Sequence, residues 1–264
     1  MYPILIQWGN FALPAWHAMY ATGAALALVI LLRLARVHCP QINPRFFSML
    51  FIVTYISGYF GARTYSLLIE DFSVKSLLDL LVGLTQFGSM TFYGGALAAF
   101  GAGVIYTLIQ RIPVPEVFDL AIPPALVALA IGRIGCFLNG DDFGLPIDLE
   151  PGAEIPLWAV VFPNLADGIP RYPVQMVSAL LSVMLAGFLI IGFRYIRRRF
   201  GTGSVGYLGV TCYAVGRIVI ERYRGDERGV LFAGVLTPAQ VTSVLILIAI
   251  SLTFPLWLKH WRRL

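Results

Sequence analysis

Seven stretches of this chain are apolar over a length that can cross a membrane, and this feature limits the fold more than any other. A hydrocarbon core of roughly 30 Å requires about 20 apolar residues in a helix. Hydrophobic residues make up 58% of the 264 residues and charged residues only 12%, unlike an ordinary soluble domain. The sequence therefore predicts an all-α polytopic membrane protein with seven transmembrane helices, at about 11–33, 48–69, 91–110, 118–137, 173–193, 204–222 and 238–258.

Lysine and arginine are unevenly distributed between the two sides that these spans define. Eleven follow the odd-numbered spans, namely Arg33, Arg36, Arg45, Arg111, Arg194, Arg197, Arg198, Arg199, Lys259, Arg262 and Arg263. Five lie on the opposite side, namely Lys75, Arg171, Arg222, Arg224 and Arg228. The positive-inside rule assigns the richer side to the cytoplasm. We expect the N-terminus outside and the C-terminus in the cytoplasm.

Other features of the composition are less specific. Arg33 is the first charged residue, so the first span lacks the basic region of a signal peptide and is expected to remain in the mature protein. Cys39, Cys136 and Cys212 show neither metal-ligand spacing nor a CxxC pair, which favours a packing role. The basic excess reflects membrane topology, and no nucleic-acid-binding motif is present.

A single membrane domain over residues 1–264 is the simplest organisation, with two segments outside the spans. Residues 70–90 contain a short apolar stretch interrupted by Lys75 and Asp79, which predicts an interfacial amphipathic arm. Residues 138–172 form the longest connection and contain five prolines. Long connections between packed helices are often functional, so we expect a small extracytoplasmic cap there.

Arg63, Arg133 and Arg217 lie inside the second, fourth and sixth predicted spans, which all run in the same direction. Each precedes the outer end by about four to six residues, a depth of about 6–9 Å, and each has a glycine beside it. They can be separate arginines whose guanidinium groups snorkel to the interface. Because charge at membrane depth is costly and arginine binds phosphate through paired hydrogen bonds, the pattern favours an anionic lipid or substrate site.

Several further residues fall at the same predicted level. Glu221 lies one turn after Arg217, which an intrahelical ion pair also explains. His17 lies about six residues into the first span, where a hydrogen-bonded core histidine is the simpler interpretation. The others lie near the outer ends of spans three to six or in the turn after span four, where solvated turn residues are an alternative: Tyr93, Gly94, Gly95, Asn139, Asp141, Asp142, Gln175 and Arg224.

The segment GRIGCFLNGDDFG at 132–144 resembles the signature of the prolipoprotein diacylglyceryl transferase family. The signature reads Gly-Arg, Gly, Asn, Phe, Asn-Gly, Glu and a closing Gly, and the matching residues are Gly132, Arg133, Gly135, Phe137, Asn139, Gly140 and Gly144. YAVGRIVIERYR at 213–224 is similar to the family's Tyr-Gly-x-x-Arg-x-x-x-Glu-x-x-Arg stretch, PRYPVQ at 170–175 to Pro-Arg-His-Pro-x-Gln, and GAR at 61–63 to Gly-Gly-Arg. The resemblance covers nearly the whole chain.

Four positions depart from the family pattern. Tyr93 replaces the histidine of His-Gly-Gly, and Tyr172 replaces the histidine of Pro-Arg-His-Pro. Within the signature, Cys136 replaces an asparagine and Asp141 replaces the glutamate. These changes concern the proton chemistry, whereas the arginines that would bind phosphate are retained.

The resemblance implies transfer of a diacylglyceryl group from phosphatidylglycerol to the lipobox cysteine thiol of a prolipoprotein, with release of glycerol phosphate. It places the protein in the bacterial cytoplasmic membrane and requires no metal or redox cofactor. It implies that Arg133 and Arg217 bind the phosphate, with Tyr93, Glu221 and Asp141 as further catalytic residues. The implied substrate-binding residues are Arg63, Gly94, Gly95, Asn139, Gly144, Gln175, Tyr213 and Arg224, to which its depth adds His17.

Two other functions are compatible with the sequence. A non-catalytic lipid- or lipoprotein-binding paralogue would keep the arginines and lose the base. A small-anion transporter would place arginines along its pathway, but here the charged residues within the spans crowd toward the outer side. The cytoplasmic half of the membrane is left mostly apolar, which favours lipid access from the outer leaflet over transport.

Reporter fusions test the predicted topology. A fusion after Arg199 should report the cytoplasm and a fusion after Gly168 the exterior, because the positive-inside rule places these positions on opposite sides. A fusion after Arg111 serves as a second cytoplasmic control. Finding positions 168 and 199 on the same side would contradict the seven-span topology and the common depth of the three arginines.

Overall fold

The computed structural model describes residues 1–9, 11–70, 76–85, 91–150, 152–226 and 236–261. In this part of the chain the α-helices are α1 (Ala15–His38), α2 (Pro44–Tyr65), α3 (Leu77–Thr85), α4 (Phe92–Ile109), α5 (Val114–Asn139), α6 (Val174–Phe200), α7 (Ser204–Glu221) and α8 (Pro238–Trp261). A π-helical turn at Ser66–Glu70 follows α2, and a 3-10 turn covers Pro163–Leu165. Two antiparallel hairpins pair β1 (Ile4–Trp8) with β2 (Phe11–Pro14) and β3 (Val160–Val161) with β4 (Pro170–Arg171).

The helices confirm an all-helical architecture suited to a membrane. Among the described residues, four helices are long and apolar enough to span: Ala15–His38, Pro44–Leu68, Val114–Asn139 and Val174–Phe200. Gly94–Ile109 and Pro238–Thr253 are shorter apolar helices, and α7 has 18 residues that include Arg217 and Glu221. A helix lies on each of the seven predicted stretches, while the number of spans and their orientation stay predictions.

The helix boundaries differ from the predicted ones, most clearly at the N-terminus. The prediction begins the first helix at residue 11, but residues 11–14 form β2, with Leu13 opposite Ile6 and Ala12 opposite Gln7. Helical conformation is disfavoured at the residue before a proline, so Leu13 stays extended before Pro14. The helix accordingly begins at Ala15.

The described chain divides into two compact units, and the smaller comprises Leu31–Val117. In this unit α2 and α4 pack through glycines that lie against backbone. A Cβ atom on Gly94 would lie 2.5 Å from the carbonyl oxygen of Gly61, and one on Gly95 would lie 3.0 Å from that of Gly58. Any larger side chain at Gly94 would therefore push α2 and α4 apart.

The described part of the predicted arm contributes α3 to the same unit. The carbonyl oxygen of Gly83 accepts a hydrogen bond from Nε of Arg63 at 3.1 Å. A Cβ atom on Gly83 would lie 2.8 Å from Cδ1 of Leu67, which shows how closely α3 approaches the π-helical turn after α2. Residues 71–75 and 86–90 of the arm lie outside the described residues, and an interfacial location stays a prediction.

The larger unit comprises Met1–Ile30 and Phe118–Leu264. Close packing at small residues holds its helices together: a Cβ atom on Gly23 would lie 3.1 Å from the carbonyl oxygen of Ala128, and one on Gly209 would lie 2.8 Å from Cδ1 of Leu189. Leu189 in α6 is fully buried. Helix α1 therefore packs closely on α5, and α7 packs closely on α6.

The predicted cap is anchored through aromatic side chains. Phe162 is fully buried, with its ring centroid 6.3 Å from that of Phe137 in α5 and 6.0 Å from that of Phe143 in the following loop. In the same segment Arg171 lies over the ring of Phe143 at 5.0 Å and pairs with Asp167 at 2.6 Å. The backbone N–H of Ile169 and the Arg171 guanidinium lower the pKa of the Asp167 carboxyl, so Asp167 remains ionised at neutral pH.

A buried aspartate fixes the start of α7. Asp119 in α5 is fully buried and accepts hydrogen bonds from the backbone N–H groups of Gly203 (2.7 Å) and Gly206 (2.9 Å). Nε of Arg197, near the end of α6, lies 3.3 Å from the same carboxylate. The first N–H groups of a helix lack intrahelical partners, and here a side chain from another helix satisfies two of them.

We expect Asp119→Ala to destabilise the protein by about 3 kcal/mol, because it leaves buried N–H groups and a guanidinium without this carboxylate. Thermal unfolding in detergent should show a drop in apparent Tm of about 5 °C or more. Asp119→Asn, which keeps one acceptor oxygen, should fall between Asp119→Ala and the unaltered protein. Asp148→Ala in the exposed part of the cap is the matched control, and an equal Tm change in both alanine variants would contradict this role of Asp119.

Candidate active site

The loop that follows α5 brings the signature segment back against the cap. Gly140 has φ +87° and ends the helix, a conformation that glycine adopts without steric cost. Its backbone N–H donates to the carbonyl oxygen of Cys136 at 2.9 Å, and its own carbonyl oxygen accepts from the Asn164 amide at 3.1 Å. In this loop the Asn139 amide donates to the Asp141 carboxylate. The signature segment thus comprises the end of α5 and a loop that is hydrogen-bonded to the cap.

Asp142 joins two arginines that are far apart in sequence. Its Oδ2 lies 2.5 Å from Nη1 of Arg133, and its Oδ1 lies 2.7 Å from Nη2 of Arg224. The side chains are largely buried, with exposed fractions of 11% for Arg133, 4% for Arg224 and 15% for Asp142. One carboxylate therefore ties the end of α5 to the segment after α7.

Backbone pairing holds Arg224 in register with the loop. The backbone N–H of Leu145 donates to the carbonyl oxygen of Tyr223 at 2.8 Å, and that of Gly225 donates to Phe143 at 3.0 Å. Gly144 forms the bridge opposite Arg224, and a side chain there would collide with the backbone of Tyr172. The glycine that closes the signature is therefore required by close packing.

Arg217 and Glu221 form the ion pair that their spacing predicts. Nη2 of Arg217 lies 2.8 Å from Oε2 of Glu221, and the other carboxylate oxygen accepts from the Thr237 hydroxyl at 3.1 Å. Both side chains are buried, with exposed fractions of 9% and 1%. Among the described residues, Nη1 of Arg217 is buried without a hydrogen-bond partner. A buried guanidinium N–H in this state is a strong donor available to an anion.

The arginines of α5 and α7 belong to one electrostatic cluster. The charge of Arg217 is repelled by those of Arg133 and Arg224 and attracted by that of Glu221, and Tyr213 lies one turn earlier in α7. The structure thus brings Arg133, Arg217, Glu221 and Arg224 together. We call these four residues with Asp142 and Asp226 the arginine cluster.

Gln175 connects the start of α6 to the same loop. Its Nε2 donates to the backbone carbonyl oxygen of Asp141 at 2.7 Å, and the residue is 1% exposed. Its Oε1 is buried and, among the described residues, has no hydrogen-bond partner. Asp141 itself is exposed and contributes its backbone to this contact, whereas its carboxylate accepts from Asn139.

Four predicted site residues belong to the smaller unit. Arg63 is 6% exposed and donates to Gly83. Gly94 and Gly95 lie at the contact between α2 and α4, and Tyr93 is the second residue of α4. The packing accounts for both glycines, so their part in substrate binding stays a prediction, as do the roles of Arg63 and Tyr93.

His17 lies in the first turn of α1, with an exposed side chain. Its ring packs edge-to-face against that of Trp16 at a centroid distance of 5.2 Å. Trp16 and Met19 lie against Gly135 of α5, so His17 is on a helix that contacts the signature. Among the residues that the structure describes, none joins the His17 ring to the arginine cluster.

Two acidic partners of Arg224 are not among the predicted catalytic or binding residues. Asp142 is predicted only as a turn residue, and its carboxylate is the one that reaches the arginines. Asp226 accepts from Nε and Nη2 of Arg224 at 2.9 and 2.7 Å. The sequence signal that identifies such residues is charge balance, because three buried guanidinium groups in an apolar environment require carboxylates.

An apolar cavity of about 410 Å³ lies between the cap and the facing ends of α6 and α7. It is lined by Trp158, Tyr172, Pro173, Val174, Val177, Ile220 and Tyr223. The Trp158 ring stacks on that of Tyr172 at 5.5 Å, and Tyr172 meets Tyr223 at 5.8 Å. Because Tyr223 precedes Arg224 in the sequence, the apolar cavity lies next to the arginine cluster.

Comparison with known proteins shows which family the chain belongs to. The family model described as prolipoprotein diacylglyceryl transferase matches residues 3–256. Relatives named phosphatidylglycerol–prolipoprotein diacylglyceryl transferase are 30% identical in Clostridium tetani, covering 87% of this chain and 88% of the relative, and 28% identical in Idiomarina loihiensis, covering 95% and 91%. A third, from Geobacter sulfurreducens, is 26% identical over 91% of this chain and 89% of its own length. The chain therefore belongs to the prolipoprotein diacylglyceryl transferase family.

Proposed function

We propose that this protein transfers a diacylglyceryl group from phosphatidylglycerol to the lipobox cysteine thiol of a prolipoprotein and releases glycerol phosphate. It acts as a seven-span protein of the bacterial cytoplasmic membrane, with its N-terminus outside. The observation that carries the proposal is the convergence of Arg133, Arg217 and Arg224, with one buried Arg217 N–H that has no partner among the described residues. The relatives' names support the choice of both substrates.

The reaction is an alkyl transfer from oxygen to sulfur. The cysteine thiolate attacks the glyceryl carbon that carries the phosphate, a carbon–sulfur bond forms, and the carbon–oxygen bond breaks. Negative charge then collects on the departing phosphate, which Arg133 and Arg217 stabilise through fixed N–H donors in a site of low dielectric. The same fixed N–H donors stabilise the thiolate relative to the thiol, whose ordinary pKa is about 8.5.

The residues around the arginine cluster position the lipid. Gln175 and Asn139 fix the loop at Asp141, and Gly144 allows the loop to pair with the segment around Arg224. Arg63, Gly94 and Gly95 are the further substrate-binding residues that the family resemblance implies. Tyr213 lies on the same face of α7 as Arg217. The apolar cavity beside Tyr223 has the character that an acyl chain requires.

Four residues are candidates to accept the thiol proton. The Glu221 carboxylate is ion-paired with Arg217, and the Asp141 carboxylate accepts a hydrogen bond from the Asn139 amide. Tyr93 replaces the family's histidine, and His17 is exposed on α1. A phenol of ordinary pKa about 10 becomes an effective base only if nearby arginines lower that pKa.

Replacing either phosphate-binding arginine by lysine should nearly abolish transfer. Arg133→Lys and Arg217→Lys should each lower the rate by about 10²-fold or more, because a point charge cannot reproduce paired N–H contacts. The measurement is the mass shift of a lipobox peptide incubated with purified protein and phosphatidylglycerol. Arg194→Lys, at an exposed position in α6, is the matched control, and full transfer by Arg133→Ala would refute the phosphate site.

Variants of Tyr93 and His17 test whether either residue accepts the thiol proton. We expect Tyr93→Phe to lower the transfer rate about tenfold or more, because a tyrosine that only orients the phosphate would also be missed. His17→Ala should lower the rate further only if its imidazole is the base. If both single variants transfer at the unaltered rate, neither residue is the base, and Glu221→Gln and Asp141→Asn become the decisive variants.

Complementation of a strain depleted of its own transferase distinguishes an active enzyme from a non-catalytic paralogue.

A further inference from the structure

The arginine cluster contains as many carboxylates as guanidinium groups. They pair three with three: Glu221 with Arg217, Asp142 with Arg133 and Arg224, and Asp226 with Arg224. The formal charges of these six groups cancel. An anion that is to be held by Nη1 of Arg133 must therefore replace the carboxylate that already contacts that nitrogen.

The contacts of the three carboxylates indicate which one an incoming anion can displace from its arginine. The Glu221 side chain is 1% exposed, lies on the same helix as Arg217 and also accepts from the Thr237 hydroxyl. Asp226 holds Arg224 through both carboxylate oxygens. Asp142 gives one oxygen to each of two arginines, lies in a loop, and has a side chain that is 15% exposed. It is the partner of Arg133, and it is the most exposed of the carboxylates that touch Arg133 or Arg217.

The backbone at Asp142 gives a second, independent observation. Its φ is +59°, in the left-handed region that side-chain-bearing residues other than asparagine and aspartate rarely adopt. Such conformations persist where the surroundings impose them, and they concentrate at functional sites. Asparagine and glycine fit this backbone at least as well as aspartate. The turn therefore does not require a negative charge at position 142, whereas the two arginines do contact one.

We propose that Asp142 is a specificity-determining residue that occupies Arg133 in the resting protein and is displaced from it by the phosphate of the incoming lipid. This inference rests on the proposed function, since it takes Arg133 to be a phosphate ligand. Exchange gives Arg133 a new anion of similar hydrogen-bonding strength and gives Nη1 of Arg217 a partner. Asp142 keeps its contact with Arg224 and returns to Arg133 as glycerol phosphate leaves.

The exchange has two consequences for recognition. Binding of every anion is weakened by competition with Asp142, so a ligand with a single carboxylate exchanges one carboxylate for another and gains little. A phosphate has more acceptor oxygens and can reach Arg133 and Arg217 together. Asp142 therefore selects phosphate over carboxylate ligands and also limits retention of the product.

The test is titration calorimetry of the purified full-length protein in detergent with glycerol phosphate and with glycerate as its carboxylate counterpart. Asp142→Asn should bind glycerol phosphate about tenfold more tightly and should gain measurable glycerate binding. In the transfer assay it should show a lower KM for phosphatidylglycerol and stronger inhibition by glycerol phosphate, without a higher kcat. Asp148→Asn is the matched control: it removes an exposed carboxylate of the cap and leaves the six groups of the arginine cluster unchanged, so the affinity should change by less than about twofold.

The possible outcomes separate this inference from the proposed function. Arg133→Ala should lose glycerol phosphate binding, and if it binds like the unaltered protein, the phosphate site itself is wrong. If Arg133→Ala loses binding while Asp142→Asn and Asp142→Gly bind no more tightly than the unaltered protein, the phosphate site stands and the inference is overturned. Asp142→Gly removes the backbone strain together with the carboxylate, so it should remain folded. Unfolding of both variants in a melting control would show that Asp142 is a structural clamp and would equally overturn the inference.

Discussion

The pairing of buried guanidinium groups with carboxylates is the interaction on which the functional end of the larger unit depends. Arginine cannot lose its charge in a protein, so a chain with so few charged residues must supply a counter-charge wherever it buries one. The carboxylates come from the loop after α5, from the end of α7 and from the segment that follows α7. The need to neutralise three guanidinium groups therefore fixes the relative positions of these three pieces of chain.

The cap helps to hold the loop that carries Asp142 beside the arginines. Asn164 holds the Gly140 carbonyl, Gln175 holds the Asp141 carbonyl, and the backbone of Phe143 and Leu145 pairs with the segment around Arg224. These contacts keep Asp142 in its left-handed conformation between two arginines. A long connection that sequence alone describes as a proline-rich loop is thus part of the electrostatic framework, and its buried anchor is the aromatic contact around Phe162.

At the N-terminal end of α7, the buried carboxylate of Asp119 pairs with an arginine and also binds backbone N–H groups. It neutralises Arg197 and satisfies the first N–H groups of α7, so the helix that carries Arg217 and Glu221 starts at a defined position. A helix is stiff over 18 residues, and a fixed start helps to define where its functional end lies. The phosphate chemistry proposed for Arg217 therefore depends on packing and on capping as well as on the residues of the cluster.

The sequence by itself determined the membrane class, the helices and the residues to consider, because hydropathy adds up along the chain and the spacing of Arg217 and Glu221 is read directly on one helix. It also identified the family, since the signature residues are contiguous. The start of α1 after Pro14 and the use of glycines 94 and 95 in helix packing depend on neighbours that spacing does not reveal. Only the tertiary structure decided that Asp142, rather than the adjacent Asp141, reaches Arg133 and Arg224. The direction of a side chain after a left-handed turn is set by the backbone φ angle and by distant partners, and neither is encoded in the order of two aspartates.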